Sequence, residues 1–177
     1  EQYVALKDYP HAVETLEKIG GLQQDRAAQA RNQQRIGELY WREIGNKQEA
    51  RAALLRSRDL DPTNLEVVKQ LRELNAQMGL QDDTARLMER ALDDQREVLA
   101  AQPLELDHYR RLMTLAEWGE DTYALLASMG VLCFFDAADE QDQELYRRRM
   151  KRTTFEPRRT PGSPAWRNTL VPRRART

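Results

Sequence analysis

The chain is poor in the residues that build rigid or reactive sites. Its 177 residues include one cysteine, Cys133, so no internal disulfide can form and a reducing compartment fits. Eight Gly, seven Pro and 7% aromatic residues supply too little turn and ring material for a sandwich or barrel of many short strands. No run of about 18 apolar residues occurs and no signal peptide is evident, which excludes membrane insertion. The histidines, His11 and His108, stand far apart without metal-ligand companions. Phosphate-cradling glycine loops, a Ser-His-Asp set and paired buried carboxylates are all missing, so no metal, no cofactor and no enzymatic activity are expected. Cys133 sits in the apolar run Val131-Leu132-Cys133-Phe134-Phe135. With no basic neighbour it reads as a small buried hydrophobe, not a reactive thiol. The chain opens with Glu1-Gln2-Tyr3 and not with Met, which suggests a fragment whose missing upstream segment could carry an address.

What is abundant is charge. The sequence is 40% hydrophobic and 32% charged, with mean hydropathy -0.82. Glu, Arg, Asp and Lys around Leu and Ala make an all-α chain the default. The net charge of -1 is a cancellation. Residues 147–177 hold 11 of the 28 basic residues and one acid, Glu156, giving +10, while residues 1–146 hold 17 basic and 28 acidic residues, giving -11. The basic end also contains Pro157, Pro161, Pro164 and Pro172, which break helices. The expected division is a helical domain over 1–152 and a basic irregular tail over 153–177. Asp136, Asp139, Glu140, Asp142 and Glu144 lack the glycine and alternation of a calcium loop. Followed by Arg147, Arg148, Arg149, Lys151 and Arg152, they match a helix with charges set against its dipole.

Helical stretches are separated by Gly20-Gly21, Gly45-Asn46, Asp61-Pro62-Thr63-Asn64, Gly79, Gln102-Pro103 and Gly119. Helices are predicted near 10–19, 23–44, 47–60, 64–78, 82–101, 104–118, 121–134 and 139–152. Apolar stripes at helical spacing include Ile36, Leu39, Tyr40 and Ile44; Ala50, Ala53, Leu54 and Leu60; Leu71, Leu74 and Met78; Ala85, Met88, Ala91 and Leu92; Tyr109, Leu112, Met113 and Leu115; and Ala124, Leu125 and Leu132. Asn64 is placed to cap the helix that follows Pro62. The stretches pair into units of two helices, the size of a helical hairpin repeat.

The unit Ile36-Gly37, Tyr40, Gly45, Ala50, Leu54 and Pro62 resembles the tetratricopeptide repeat, with one extra residue in the turn between its helices. Residues 1–19, with Leu16 and Ile19 in the core, resemble the end of one repeat; 65–101 and 104–134 resemble degenerate ones. The segment Ala137-Ala138-Asp139-Glu140 and Glu144-Leu145-Tyr146 before the arginines is similar to the close of long bacterial proteins of this family, of myxobacterial type. The resemblance implies an α-solenoid of stacked antiparallel hairpins in a bacterial cytoplasm, a scaffold binding partner proteins on its concave inner face.

Carried over by spacing, that face holds Arg31, Gln34, Glu38 and Trp41 in one unit; Glu66, Lys69, Glu73 and Ala76 in the next; and Asp107, Arg110, Thr114 and Glu117 in the third. Members of each set are spaced i, i+3, i+7, i+10 and share a helix face. The set is mildly acidic and departs from the Lys and Asn pattern that clamps a peptide carboxylate, so a basic or amphipathic segment suits it better. Trp41 is either a groove anchor or the cover of the Gly45 turn; Trp118 reads as core or turn cover. In the tail, Phe155, Trp166, Leu170 and Val171 are expected to dock on a helical face of this chain or of a neighbour in a larger assembly. The alternative function is nucleic-acid binding, with tail arginines on phosphates and Phe155 and Trp166 stacked on bases; a steep loss of oligonucleotide affinity with salt would mark it.

Overall fold

A computed structural model describes residues 3 and 6–152. The expected tail, with Phe155, Trp166, Leu170 and Val171, lies outside the described residues. In chain order the helices are α1 (Tyr9–Leu22), α2 (Arg26–Glu38), a π-helical segment (Leu39–Ile44), α3 (Lys47–Leu60), α4 (Leu65–Met78), α5 (Gln81–Ala101), α6 (Leu106–Trp118), α7 (Thr122–Phe134) and α8 (Glu140–Arg152). No strand occurs among the described residues.

Side-chain caps set most of the starts. Free amides at a helix N-terminus need acceptors. Asp25 accepts from the amides of Ala27 and Ala28, Asn46 from Glu49, Asn64 from Glu66 and Val67, and Asp121 from Tyr123 and Ala124. Two ends close on left-handed glycines, Gly45 at φ 80° and Gly79 at φ 72°, a conformation that costs glycine nothing. Past each, an amide turns back: Asn46 N donates to Tyr40 O at 2.8 Å and Leu80 N to Asn75 O at 2.9 Å.

Each helix packs on the one that follows it. The main core passes through Ala50, Leu54, Val68, Leu71, Leu74, Met88, Ala91, Leu112, Leu115, Leu125 and Met129. A smaller cluster of Ala12, Val13, Ile36, Leu39 and Ala53 ties α1, α2 and α3 together, and Tyr40 leans on both. Polar bonds then skip one helix. Gln34 meets Asn64, the cap of α4, Glu38 and Trp41 meet Gln70 and Gln77 of α4, and Arg72 of α4 lies 5.5 Å over the Trp118 ring of α6. On the alternate helices, Arg51 and Arg58 of α3 reach Asp83 and Asp94 of α5, and Arg96 of α5 reaches Asp121 at the start of α7. Alternate helices therefore fall into two polar-linked series.

Several sequence expectations are corrected. Gly20-Gly21 is not a break but lies inside α1. The single helix expected over 23–44 starts at Arg26, because Asp25 caps it, and gives way at Leu39 to π geometry. Ile19, expected in the core, is 43% exposed, and Ala85 is also exposed. Cys133 is half-buried rather than buried. Its neighbours Phe134 and Phe135 stand out of the core.

Candidate partner-binding surface

The expected face residues fall on α2, the π segment, α4 and α6, and internal bonding divides them. Glu38 is most engaged: its carboxylate accepts from Gln70 Nε2 at 3.0 Å, Arg35 Nη1 at 3.3 Å and Gln34 Nε2 at 3.5 Å. Gln70 is buried and shares that amide with Glu66 at 3.4 Å. Gln34 Oε1 accepts from Asn64 Nδ2 at 3.3 Å. The result is an amide and carboxylate seam between α2 and α4. Trp41, half-buried against the main core, donates from Nε1 to Gln77 Oε1 at 3.3 Å and closes the same seam. Glu38, and Trp41 that the sequence leaves as groove anchor or turn cover, thus both bond across to α4.

On α6, Arg110 pairs with Asp107 and donates to Ala137 O at 3.3 Å, so it ties the α7–α8 connection to α6. Arg31 makes a loose pair with Asp25 at 3.8 Å. Thr114 donates to Arg110 O within its own helix. Lys69, Glu73 and Glu117 are exposed, and within the described face they are the charges left for a partner. The position of Lys69 and Glu73 follows from their helix. Gln70 and Gln77 occupy the α4 flank toward α2, Arg72 occupies the flank toward α6, and the exposed strip Glu66, Lys69, Glu73, Ala76 runs between. Trp118 is half-buried on the core beneath Arg72, a cation over an aromatic face.

Sequence reasoning missed Gln70, Gln77, Asn64 as a bonding partner, and Arg72. The available signal was Gln70 and Gln77 seven residues apart on one flank of α4, which marks a polar stripe on a helix otherwise divided between core and solvent.

Reactive chemistry is sparse. Burial pushes the Cys133 thiol up, Arg147 opposes this and Asp142 adds to it, so the thiolate is disfavoured. Asp142 is itself raised, first by burial and then by Asp139. Among the described residues no group of three or more His, Cys, Asp or Glu side chains is arranged to hold a metal ion. One shallow cleft is lined by Gly79, Leu80, Gln81, Asp82, Asp83 and Arg86; it is a polar surface hollow at the α4–α5 turn. No described helix is long and apolar enough to cross a membrane.

No protein-family model matches the chain, and no curated protein matches it.

Proposed function

We propose that the chain is a tetratricopeptide-like α-solenoid of antiparallel hairpins, acting as a non-catalytic scaffold that holds a basic or amphipathic segment of a partner protein. The observation that carries this reading is the alternation of polar links, α2 to α4 to α6 in one series and α3 to α5 to α7 in the other. Stacked hairpins are the simplest topology in which every helix meets its sequence neighbour and its next neighbour but one. The first series then presents Lys69, Glu73 and Glu117 along a common face, with two acids for one base. The repeat resemblance supports the same reading, because a Cβ on Gly37 would stand 2.8 Å from Leu54 Cγ and 3.2 Å from Ala50 O, a close helix approach of the kind that the small residue of such a repeat permits. A bacterial cytoplasmic setting belongs to this proposal through the resemblance alone.

The test compares the intact chain as bait with a variant carrying Lys69→Ala, Glu73→Ala and Glu117→Ala. These side chains are exposed, so the variant keeps its helices. Loss of the captured protein is the expected result, and an unchanged set of captured proteins sinks the proposal.

A further inference from the structure

Helix α7 is apolar all the way round. Its inner side places Ala124, Leu125, Leu126, Met129 and Leu132 in the interior. The opposite side carries Ala127, Val131 and Phe134, spaced i, i+4, i+7 and hence on one face. Phe134 is 82% exposed and Phe135 is 49% exposed, the two rings edge-on at 5.1 Å. A surface helix normally turns polar side chains outward. This one has none between Ala127 and Phe135 except buried Ser128. Exposed acids bracket the face, Glu120 before it and Asp136, Asp139 and Glu140 after it.

We propose that residues 153–177 fold back over this face of α7 within the same chain. Helix α8 delivers the segment to the right place. Tyr146 abuts Gly130, its Oη 3.0 Å from where a Cβ would stand, and only residues 135–139 join the two helices. Later residues of α8 thus meet earlier residues of α7, so α8 runs back along α7 and ends toward Thr122. A strand of chain leaving there can retrace α7 to Phe134. The thirteen residues of α7 span about 20 Å at about 1.5 Å each, whereas an extended segment covers about 3.3 Å per residue. Phe155, Trp166, Leu170 and Val171 supply apolar anchors, and Arg158, Arg159 and Arg167 match the bracketing acids. Pro157, Pro161 and Pro164 suit an extended path that pairs with no strand, because they have no amide to satisfy.

The experiment uses the full chain with Cys133→Ser and Ala127→Cys, placing the only thiol at the centre of the face. Maleimide labelling is expected to run about tenfold slower than in the same protein with Trp166→Ala and Leu170→Ala, as follows from a docked state favoured by about ten to one. Phe134→Ser is expected to remove the protection as well. Equal rates overturn the proposal, as does protection that grows with protein concentration, the mark of a second copy's segment. A measurement that needs no new cysteine is deuterium uptake by residues 153–177. Protection that is lost in Phe134→Ser is the expected result, and uptake as fast as in a free peptide overturns the proposal.

Discussion

Gly37 shows how one missing methyl sets the distance between two helices. A Cβ there would stand 2.8 Å from Leu54 Cγ, 2.9 Å from Leu54 Cδ2 and 3.2 Å from Ala50 O. Leu54 is fully buried, so it has nowhere to move and the two helices would have to part. Gly37→Ala is expected to destabilise the protein by about 2 kcal/mol, the usual cost of overpacking a filled core, seen as a lower urea midpoint at unchanged slope. Arg58 poses a different problem at the same scale. It is 4% exposed, donates from Nη2 to Asp94 Oδ2 at 2.6 Å, and its Nε has no partner. Removing the acid strands a buried cation, whereas removing the cation for a hydrophobe of like length strands only an acid that is 34% exposed and can be hydrated. Asp94→Ala is therefore expected to cost about 3 kcal/mol and Arg58→Met distinctly less, an order that urea titration of both variants checks. The reverse order would mean that the pair contributes through attraction and not through avoided desolvation.

Among the elements, the π segment is where sequence and structure are most usefully compared. A residue inserted in a helix can be absorbed by widening one turn, leaving both flanks in register. Leu39 and Tyr40 stay in the core while Arg42 and Glu43 are exposed. Deleting Arg42 is expected to restore an α-helical turn at a cost below about 1 kcal/mol, with helical content by circular dichroism unchanged. Loss of a cooperative melt would show that the widened turn is required to seat Trp41 on Gln77. Helix positions were legible in the sequence where caps and apolar spacing agree, as at Asn46 with Ala50 and Leu54, or Asn64 with Leu71 and Leu74. They were misread at Gly20-Gly21, because a glycine run marks either a break or a close contact. Here Gly20 makes room for Asn32, whose Nδ2 donates to Leu16 O and would meet a Cβ at 2.7 Å. Helical spacing alone put Glu66, Lys69, Glu73 and Ala76 on one strip of α4, and that strip is exposed. The roles within the candidate face were not legible, since Glu38 and Trp41 are engaged by Gln70 and Gln77, more than thirty residues on. No local pattern distinguishes a polar residue awaiting a partner from one that already has an internal one.

At the scale of the molecule, burial is unevenly distributed, and that sets which parts open first. Helix α4 places Val67, Val68, Leu71 and Leu74 at 1% exposure or less. Helix α1 fully buries only Ala12 and Val13, with Tyr9 and Leu16 partly buried against the smaller cluster, and the described side chains of α8 include none that is buried. Helix α3 serves both clusters, with Ala50 and Leu54 in one and Ala53 in the other. In a chain whose helices contact mainly their near neighbours, opening at an end breaks one interface while opening at the centre breaks two. Amides of α1 and α8 are therefore expected to exchange at least about tenfold faster than those of α4, a gap of about 1.4 kcal/mol in opening free energy. Native-state hydrogen exchange read helix by helix makes the measurement. Uniform protection from α1 to α8 would mean instead that the two clusters act as a single cooperative core, bridged through Tyr40 and α3, and that the near-neighbour picture does not describe its energetics.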